Sequence, residues 1–305
     1  MAPTVSALVV SWNNRDFLGR CLESLPKGTE IVVVDNASTD GSADFVAETF
    51  PDIQLIRLHQ NVGFAAGINR AAAVATGTYL LLLNPDAEAT PRAVERLVEF
   101  LDEHTTCAAA AGRLLSMTED WQRARNVKRL PTYGTIVAEL MLLKQLWPGN
   151  PLSRHGDAAD VTDEASQAVE QPAATCLMVR SRVFADLGGM DEQFSPAWFE
   201  DVDLCRRILQ AGWTIFFVPR SNFRHLGGAS VATLGMARTR RIYYQNLERY
   251  MGKHHGWPGR ALTRTLVVAG MGLRVAGSAL VGNGDGVRTF AGVLRAALGG
   301  WREPM

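Results

Sequence analysis

Ile31-Val32-Val33-Val34-Asp35-Asn36-Ala37-Ser38-Thr39-Asp40-Gly41-Ser42 carries the change of chemistry that decides the fold class. Four β-branched residues in a row predict a strand buried on both faces, as in the core of a parallel sheet. The run stops at an acid, passes through a polar turn and enters a predicted helix over Ser42–Phe50. Upstream, Val5–Val10 is a second apolar run ending in Ser11-Trp12-Asn13-Asn14. Asp16–Leu25 follows it with apolar residues at helical spacing. Downstream, Ile53–Leu58 predicts a third strand and Gly67–Thr76 an Ala-rich helix. Tyr79–Leu83 predicts a fourth strand, stopping at Asn84-Pro85-Asp86, and Pro91–Glu103 an amphipathic helix with Pro in its first turn. Strand and helix alternate over short connections, which predicts an α/β, Rossmann-like domain with a mostly parallel sheet flanked by helices. Polar clusters follow the first, second and fourth strands, where open α/β sheets bind ligands.

The chain of 305 residues fits one principal domain with an appendage. We place the principal domain at residues 1–235, with a less regular insert at 116–171 carrying one helix around Ile136–Leu146. Order resumes with a strand at Ala174–Val179, helices near Arg182–Leu187 and Asp201–Ala211, and a strand at Thr214–Val218. Residues 236–305 read as a basic amphipathic helical tail. From Met236 onward there are 11 Lys+Arg against 3 Asp+Glu, whereas the preceding 235 residues hold 20 against 28. An acidic body with a basic tail predicts an anionic partner for the tail. Cys21, Cys107, Cys176 and Cys205 show no metal-ligand spacing and are expected to be reduced thiols. The first residues lack the basic and apolar pattern of a signal peptide, which predicts a cytoplasmic protein.

Each polar cluster supports two readings. Asp35 at a strand end can accept hydrogen bonds from ribose hydroxyls or a base N–H, with Asn36 and Ser38 beside it; an Asx turn capping a helix explains the same residues. Asn61-Val62-Gly63-Phe64-Ala65-Ala66-Gly67-Ile68-Asn69 opens a helix with small residues. These admit either a diphosphate or a close helix–sheet contact. Asn84-Pro85-Asp86 delivers a carboxylate from a rigid strand, as a divalent cation on two phosphates requires, or merely ends the strand. Trp198-Phe199-Glu200-Asp201-Val202-Asp203 places three acids at a helix start. Dipole stabilisation accounts for one or two of them. The aromatic pair favours function, as a wall for a sugar ring and a means of raising a carboxylate's pKa. His225 follows a predicted strand and is either structural or, with Asp86, a metal ligand.

Taken together, Ser11-Trp12-Asn13-Asn14, Asp35–Ser42, Asn61–Phe64 with Gly67 and Asn69, Asn84-Pro85-Asp86, Phe199–Asp203 and His225 resemble glycosyltransferase family 2. This is the inverting family of GT-A (nucleotide-diphospho-sugar transferase) fold, and the likeness is to its rhamnosyltransferase-like branch. The resemblance implies a nucleotide-sugar site formed by Ser11, Asn13, Asp35, Asn36, Ser38, Asn61, Gly63, Gly67, Asn69, Asn84, Asp86 and Trp198. It implies Mn²⁺ or Mg²⁺ held by Asp86 and His225, and Asp201, beside Glu200, as the catalytic base. One departure is plain: the family's Asp-x-Asp is here Asn84-Pro85-Asp86. The implied reaction moves a sugar, rhamnose in the nearest branch, to a hydroxyl of a lipid-linked or polysaccharide acceptor in cell-envelope synthesis. The competing readings are a sugar-phosphate nucleotidyltransferase, which would carry a Gly-rich basic loop after the first strand, and a non-catalytic nucleotide-sugar-binding scaffold.

Basic residues and Tyr243, Tyr244, Tyr250 and Trp257 flank the apolar Thr265–Val281, which is short for a spanning helix. This predicts a peripheral helix on the anionic inner face of the cell membrane. A helix packed on the body, or at a homodimer interface, is the competing expectation. No nucleic-acid-binding module is recognisable.

Overall fold

The structure, a computed structural model, describes residues 4–116, 123–124, 126–227 and 235–301. Part of the predicted insert, and Gly228, lie outside the described residues.

The strands are β1 (Val5–Ser11), β2 (Glu30–Asp35), β3 (Gln54–Arg57), β4 (Tyr79–Leu83), β5 (Ala87–Ala89), β6 (Cys107–Ser116), β7 (Arg123–Ala124), β8 (Val127–Lys128), β9 (Gln167–Ala168), β10 (Gln171–Pro172), β11 (Cys176–Arg180) and β12 (Thr214–His225). The helices are α1 (Arg15–Glu23), α2 (Ser42–Thr49), α3 (Phe64–Ala72), α4 (Ala93–Glu103), α5 (Tyr133–Leu140), α6 (Leu143–Leu146), α7 (Pro151–Gly156), α8 (Ser181–Asp186), α9 (Glu200–Gln210), α10 (Met236–Leu280) and α11 (Gly284–Leu298). The main sheet runs β3-β2-β1-β4-β11-β6-β12-β5. Its first four strands are parallel, β11 is antiparallel to both neighbours, and β5 pairs antiparallel with β12. The sheet is therefore mixed beyond β4. Strand β12 continues past the predicted Val218 to His225, along β6, and that extension carries His225 to the end of the sheet.

Described residues of Met1–Lys128, Val161–Pro196 and Glu200–Ser230 form one compact unit, and those of Arg129–Asp160, Ala197–Phe199 and Val231–Met305 form a second. The core of the first unit lies between its strands and helices. Val9, Val33, Leu81 and Leu83 on the strands pack with Leu18, Leu22, Leu97 and Leu101 on the helices, all buried. The four cysteines are free and buried. Burial raises the Cys176 thiol to about 12, so it is inert as a nucleophile at neutral pH.

In the second unit the single helix expected around Ile136–Leu146 is two helices, because Leu142 takes a left-handed φ of 60° between α5 and α6. Helix α10 is likewise broken where Gly256 has φ 69° and ψ −169°, with Pro258 opening the next turn. Much of the tail's positive charge is spent inside this unit. Glu248, 1% exposed, accepts from Arg260 Nε at 3.0 Å, Arg264 Nη2 at 2.6 Å and Trp301 Nε1 at 2.8 Å. Burial alone would raise this carboxylate's pKa, but its donors outweigh that and hold it below the usual value. Arg274 donates to the carbonyls of Leu140 and Glu139 at the end of α5.

Candidate active site

Ser11 and Asp35 end β1 and β2 and are register partners, so their side chains leave the same face of the sheet. Asp35 Oδ2 accepts from the amide of Ser38 at 3.1 Å, which shapes the turn. Asp35 Oδ1 and Ser11 Oγ are both buried and have no hydrogen-bond partner. Buried polar oxygens are seldom left unpaired, and two together at strand ends mark a place for a ligand's donors. Asn13, at φ 56°, takes the amide of Thr39 on Oδ1 at 2.8 Å, while its own amide donates to Ser38 Oγ at 3.0 Å. These bonds lock the β1 and β2 loops together as one rim.

Much of the Asn61–Asn69 segment serves as scaffold. Asn36 donates to Asn61 Oδ1 at 2.9 Å and to the Gly63 carbonyl at 3.2 Å, and accepts from the Val62 amide at 2.8 Å. Gly63 has φ +88°, and a Cβ there would lie 2.9 Å from Ser195 Oγ. A Cβ on Gly67 would lie 2.8 Å from the Val10 methyls, so this glycine lets α3 close on β1. Asn69 donates to the Met190 carbonyl at 2.8 Å and accepts from the Met190 amide at 2.9 Å. Of the two readings open in the sequence for these small and amide residues, the contacts are those of the close-packing one.

Beyond β4, the Asn84 carbonyl accepts from the Ala87 amide at 3.0 Å, turning the chain so that Asp86 faces the end of β12. His225 is the register partner of Ala87. Its Nε2 lies 3.2 Å from Asp86 Oδ1 and is buried with no other partner. Asp86 Oδ2 accepts from the Gly227 amide at 3.2 Å. Desolvation would raise the Asp86 pKa, but the imidazole and the amide outweigh it and the carboxyl is held below its usual value. An ionised carboxylate oxygen and an imidazole nitrogen converging at the end of the sheet suit a divalent cation. No cluster of three or more His, Cys, Asp or Glu side chains exists among the described residues, so other ligands of a cation there must come from substrate or water.

Helix α9 opens with adjacent acids in different settings. Glu200 is 6% exposed, its Oε2 is buried without a partner, and burial followed by the charge of Asp201 raises its pKa well above the ordinary value. Asp201 stays partly exposed and accepts from the amides of Val202 at 2.8 Å and Ala174 at 3.3 Å. Its pKa is also raised, by burial, with those amides and Lys128 opposing. Asp203, fully buried, is spent on Arg207 Nε at 2.7 Å, and Arg207 in turn holds the carbonyls of Leu187 and Gly189. Only Asp201 is both ionisable and open to an approaching hydroxyl. Ala174 adjoins Thr175, whose carbonyl accepts the Asn84 amide at 3.1 Å, so Asp201 is tethered to the end of β4.

In the second unit, Trp198 and Phe199 hold φ of 70° and 75°, a left-handed pair costing about 1–3 kcal/mol per residue. Asn246, fully buried on α10, donates to the carbonyls of Ala197 at 2.9 Å and Trp198 at 3.1 Å. Phe199 is buried against Tyr243 and Tyr250, with centroids 5.2 and 5.7 Å away, so Trp198 is the one of the aromatic pair that keeps some exposure. No sequence signal marks Asn246, which lies in a basic helix, or the Ala174 amide, which has no side-chain signature. Asn246→Ala is expected to cost about 1–3 kcal/mol, since two part-buried carbonyls lose their donor. Urea unfolding checks this, and a change under 0.5 kcal/mol would show that the left-handed pair holds itself.

Residues 6–154 match the family model described as glycosyl transferase family 2. The chain is similar to the N-acetylglucosaminyl-diphospho-decaprenol L-rhamnosyltransferase of Mycobacterium tuberculosis, with 26% identity over 246 residues, 74% of this chain and 76% of that protein. Its fold is similar to that of the mannosyltransferase PcManGT from Pyrobaculum calidifontis, solved with GDP-Man and Mn²⁺. The TM-score is 0.56 and the identity 18%, over 98% of this chain and 87% of that one. It is also similar to GalNAc-T7, solved with UDP, GalNAc and Mn²⁺, at TM-score 0.54 and 17% identity. That likeness covers 79% of this chain but less than half, 47%, of the other.

Proposed function

From a chain that is a glycosyltransferase of family 2 with the GT-A fold, we propose an inverting transfer of a sugar from a nucleotide-diphosphate donor to an acceptor hydroxyl. The donor sugar is rhamnose and the acceptor a lipid-linked or polysaccharide glycan, by likeness to the rhamnosyltransferase. The observation that carries the reading is one tethered set within a single unit. It comprises unpaired Ser11 and Asp35 oxygens, the facing Asp86 and His225, and an accessible Asp201.

Asp35 Oδ1 accepts from the base or ribose of the donor, and Ser11 Oγ donates to it or accepts from it. Asp86 and His225 would hold Mn²⁺ or Mg²⁺, which supplies positive charge beside the departing diphosphate. Asp201 accepts the proton of the acceptor hydroxyl as that oxygen forms its bond to the anomeric carbon. The bond from that carbon to the diphosphate breaks on the opposite face, and the electron pair leaves with the phosphate, inverting the configuration. No second acid is needed, because the nucleotide diphosphate departs as a stable anion. Glu200, buried at 6% exposure, is shielded from the acceptor hydroxyl.

The test is a thermal-shift panel of nucleotide sugars with Mn²⁺ or Mg²⁺. We expect one deoxythymidine-diphosphate sugar to raise Tm by several degrees when metal is present, following mass-action stabilisation. Equal, small shifts for every nucleotide sugar would defeat the donor assignment.

A further inference from the structure

The second half of α10 is turned inside out. Its arginines point to the protein: Arg260 and Arg264 to Glu248, and Arg274 to the end of α5. Thr263, Val267, Gly270 and Met271 are buried. The opposite face presents Leu262, Thr265, Ala269, Leu273, Ala276 and Leu280 to solvent, at the three- and four-residue spacing of one helix stripe. Leu262 is 44%, Leu273 48% and Leu280 88% exposed. At 1.5 Å per residue the stripe is about 27 Å long. It carries no charge, whereas an ordinary surface helix shows solvent its polar face. An uninterrupted apolar face of this length marks an interaction surface.

We propose that this stripe lies in the plane of an anionic lipid surface and seats the enzyme there. The charge pattern favours lipid: from Arg249 to Gly284 there is no Asp or Glu to repel anionic headgroups, and Arg260, although paired with Glu248, keeps 58% of its side chain exposed. Trp257, 79% exposed, stands at one end, where an indole ring suits the headgroup level. No described helix is long and apolar enough to cross a membrane, so the contact is in-plane. The inference rests on the proposed lipid-linked acceptor, since an acceptor held in a bilayer is reached from its surface. Apolar burial is not screened by salt, so the attachment persists at an ionic strength that releases a purely electrostatic one.

The experiment is flotation of the full chain with phosphatidylglycerol–phosphatidylethanolamine vesicles at 0.1 and 0.5 M NaCl, beside the double variant Leu273→Glu, Leu280→Glu. Acceptor-free donor hydrolysis is measured on both proteins. The wild type is expected to float at both salt concentrations. The variant should lose at least tenfold in vesicle binding while its donor hydrolysis is unchanged. Equal flotation of the two proteins overturns the proposal. So does a wild type that fails to float but forms a dimer by light scattering that the variant cannot form, which would assign the stripe to a second copy. Absent donor hydrolysis with intact, variant-sensitive flotation supports the lipid surface and counts against the transferase assignment alone.

Discussion

Asp201→Asn is expected to lower transfer turnover by about 10³-fold, within the range that a positioned general base contributes, with donor KM changed less than about threefold. The carboxamide keeps the shape and can still accept an amide hydrogen bond where Val202 and Ala174 now donate to the carboxylate. What it loses is the ability to take a proton. Desolvation raises the Asp201 pKa above that of an ordinary aspartate despite those amides. Turnover should therefore rise with pH as Asp201 deprotonates, with its acid limb displaced upward from that of an ordinary aspartate. In the variant that limb should vanish from the residual rate. Glu200→Gln is the internal control. Glu200 is buried away from the acceptor, with its pKa raised well above the ordinary value, so Gln should cost less than about tenfold in turnover. Near-wild-type turnover in Asp201→Asn would remove it as the base.

Asp86→Asn and His225→Ala are each expected to lower kcat/KM by about 100-fold, equivalent to about 2.7 kcal/mol of transition-state stabilisation. Their combination should cost little more than either alone, because the two groups face each other at 3.2 Å and act as a unit. Excess EDTA should reproduce the loss in the wild type and add nothing to the double variant. Calorimetric titration of donor with and without Mn²⁺ gives a readout independent of turnover: metal should tighten donor binding to the wild type and not to the variants. Metal enhancement that survives in His225→Ala would leave Asp86 needing another partner. The departure from Asp-x-Asp makes this informative. Asn84 engages Thr175 through its amide and turns the chain at Ala87 through its carbonyl, leaving Asp86 as the carboxylate of the motif.

The strands and the strand-end polar clusters were readable because hydrophobic periodicity is local: four β-branched residues followed by Asp35 have few other outcomes. The helix starting at Glu200 was readable for the same reason. What each polar group does there was not readable, because partners are chosen by packing across long separations. Only the tertiary structure sets His225 against Asp86, 139 positions earlier, by extending β12 along β6 and pairing it with β5. It also gives Asn36 and Asn69 to loop carbonyls and amides, and Gly67 to a contact with Val10. Among three acids in four positions, it buries Glu200 and ion-pairs Asp203, leaving Asp201 open. The tail shows the same division. Its basic surplus is a property of composition. Its orientation follows from Glu248, whose burial is affordable only with Arg260 and Arg264 turned inward, and that turn leaves the leucines of α10 outside.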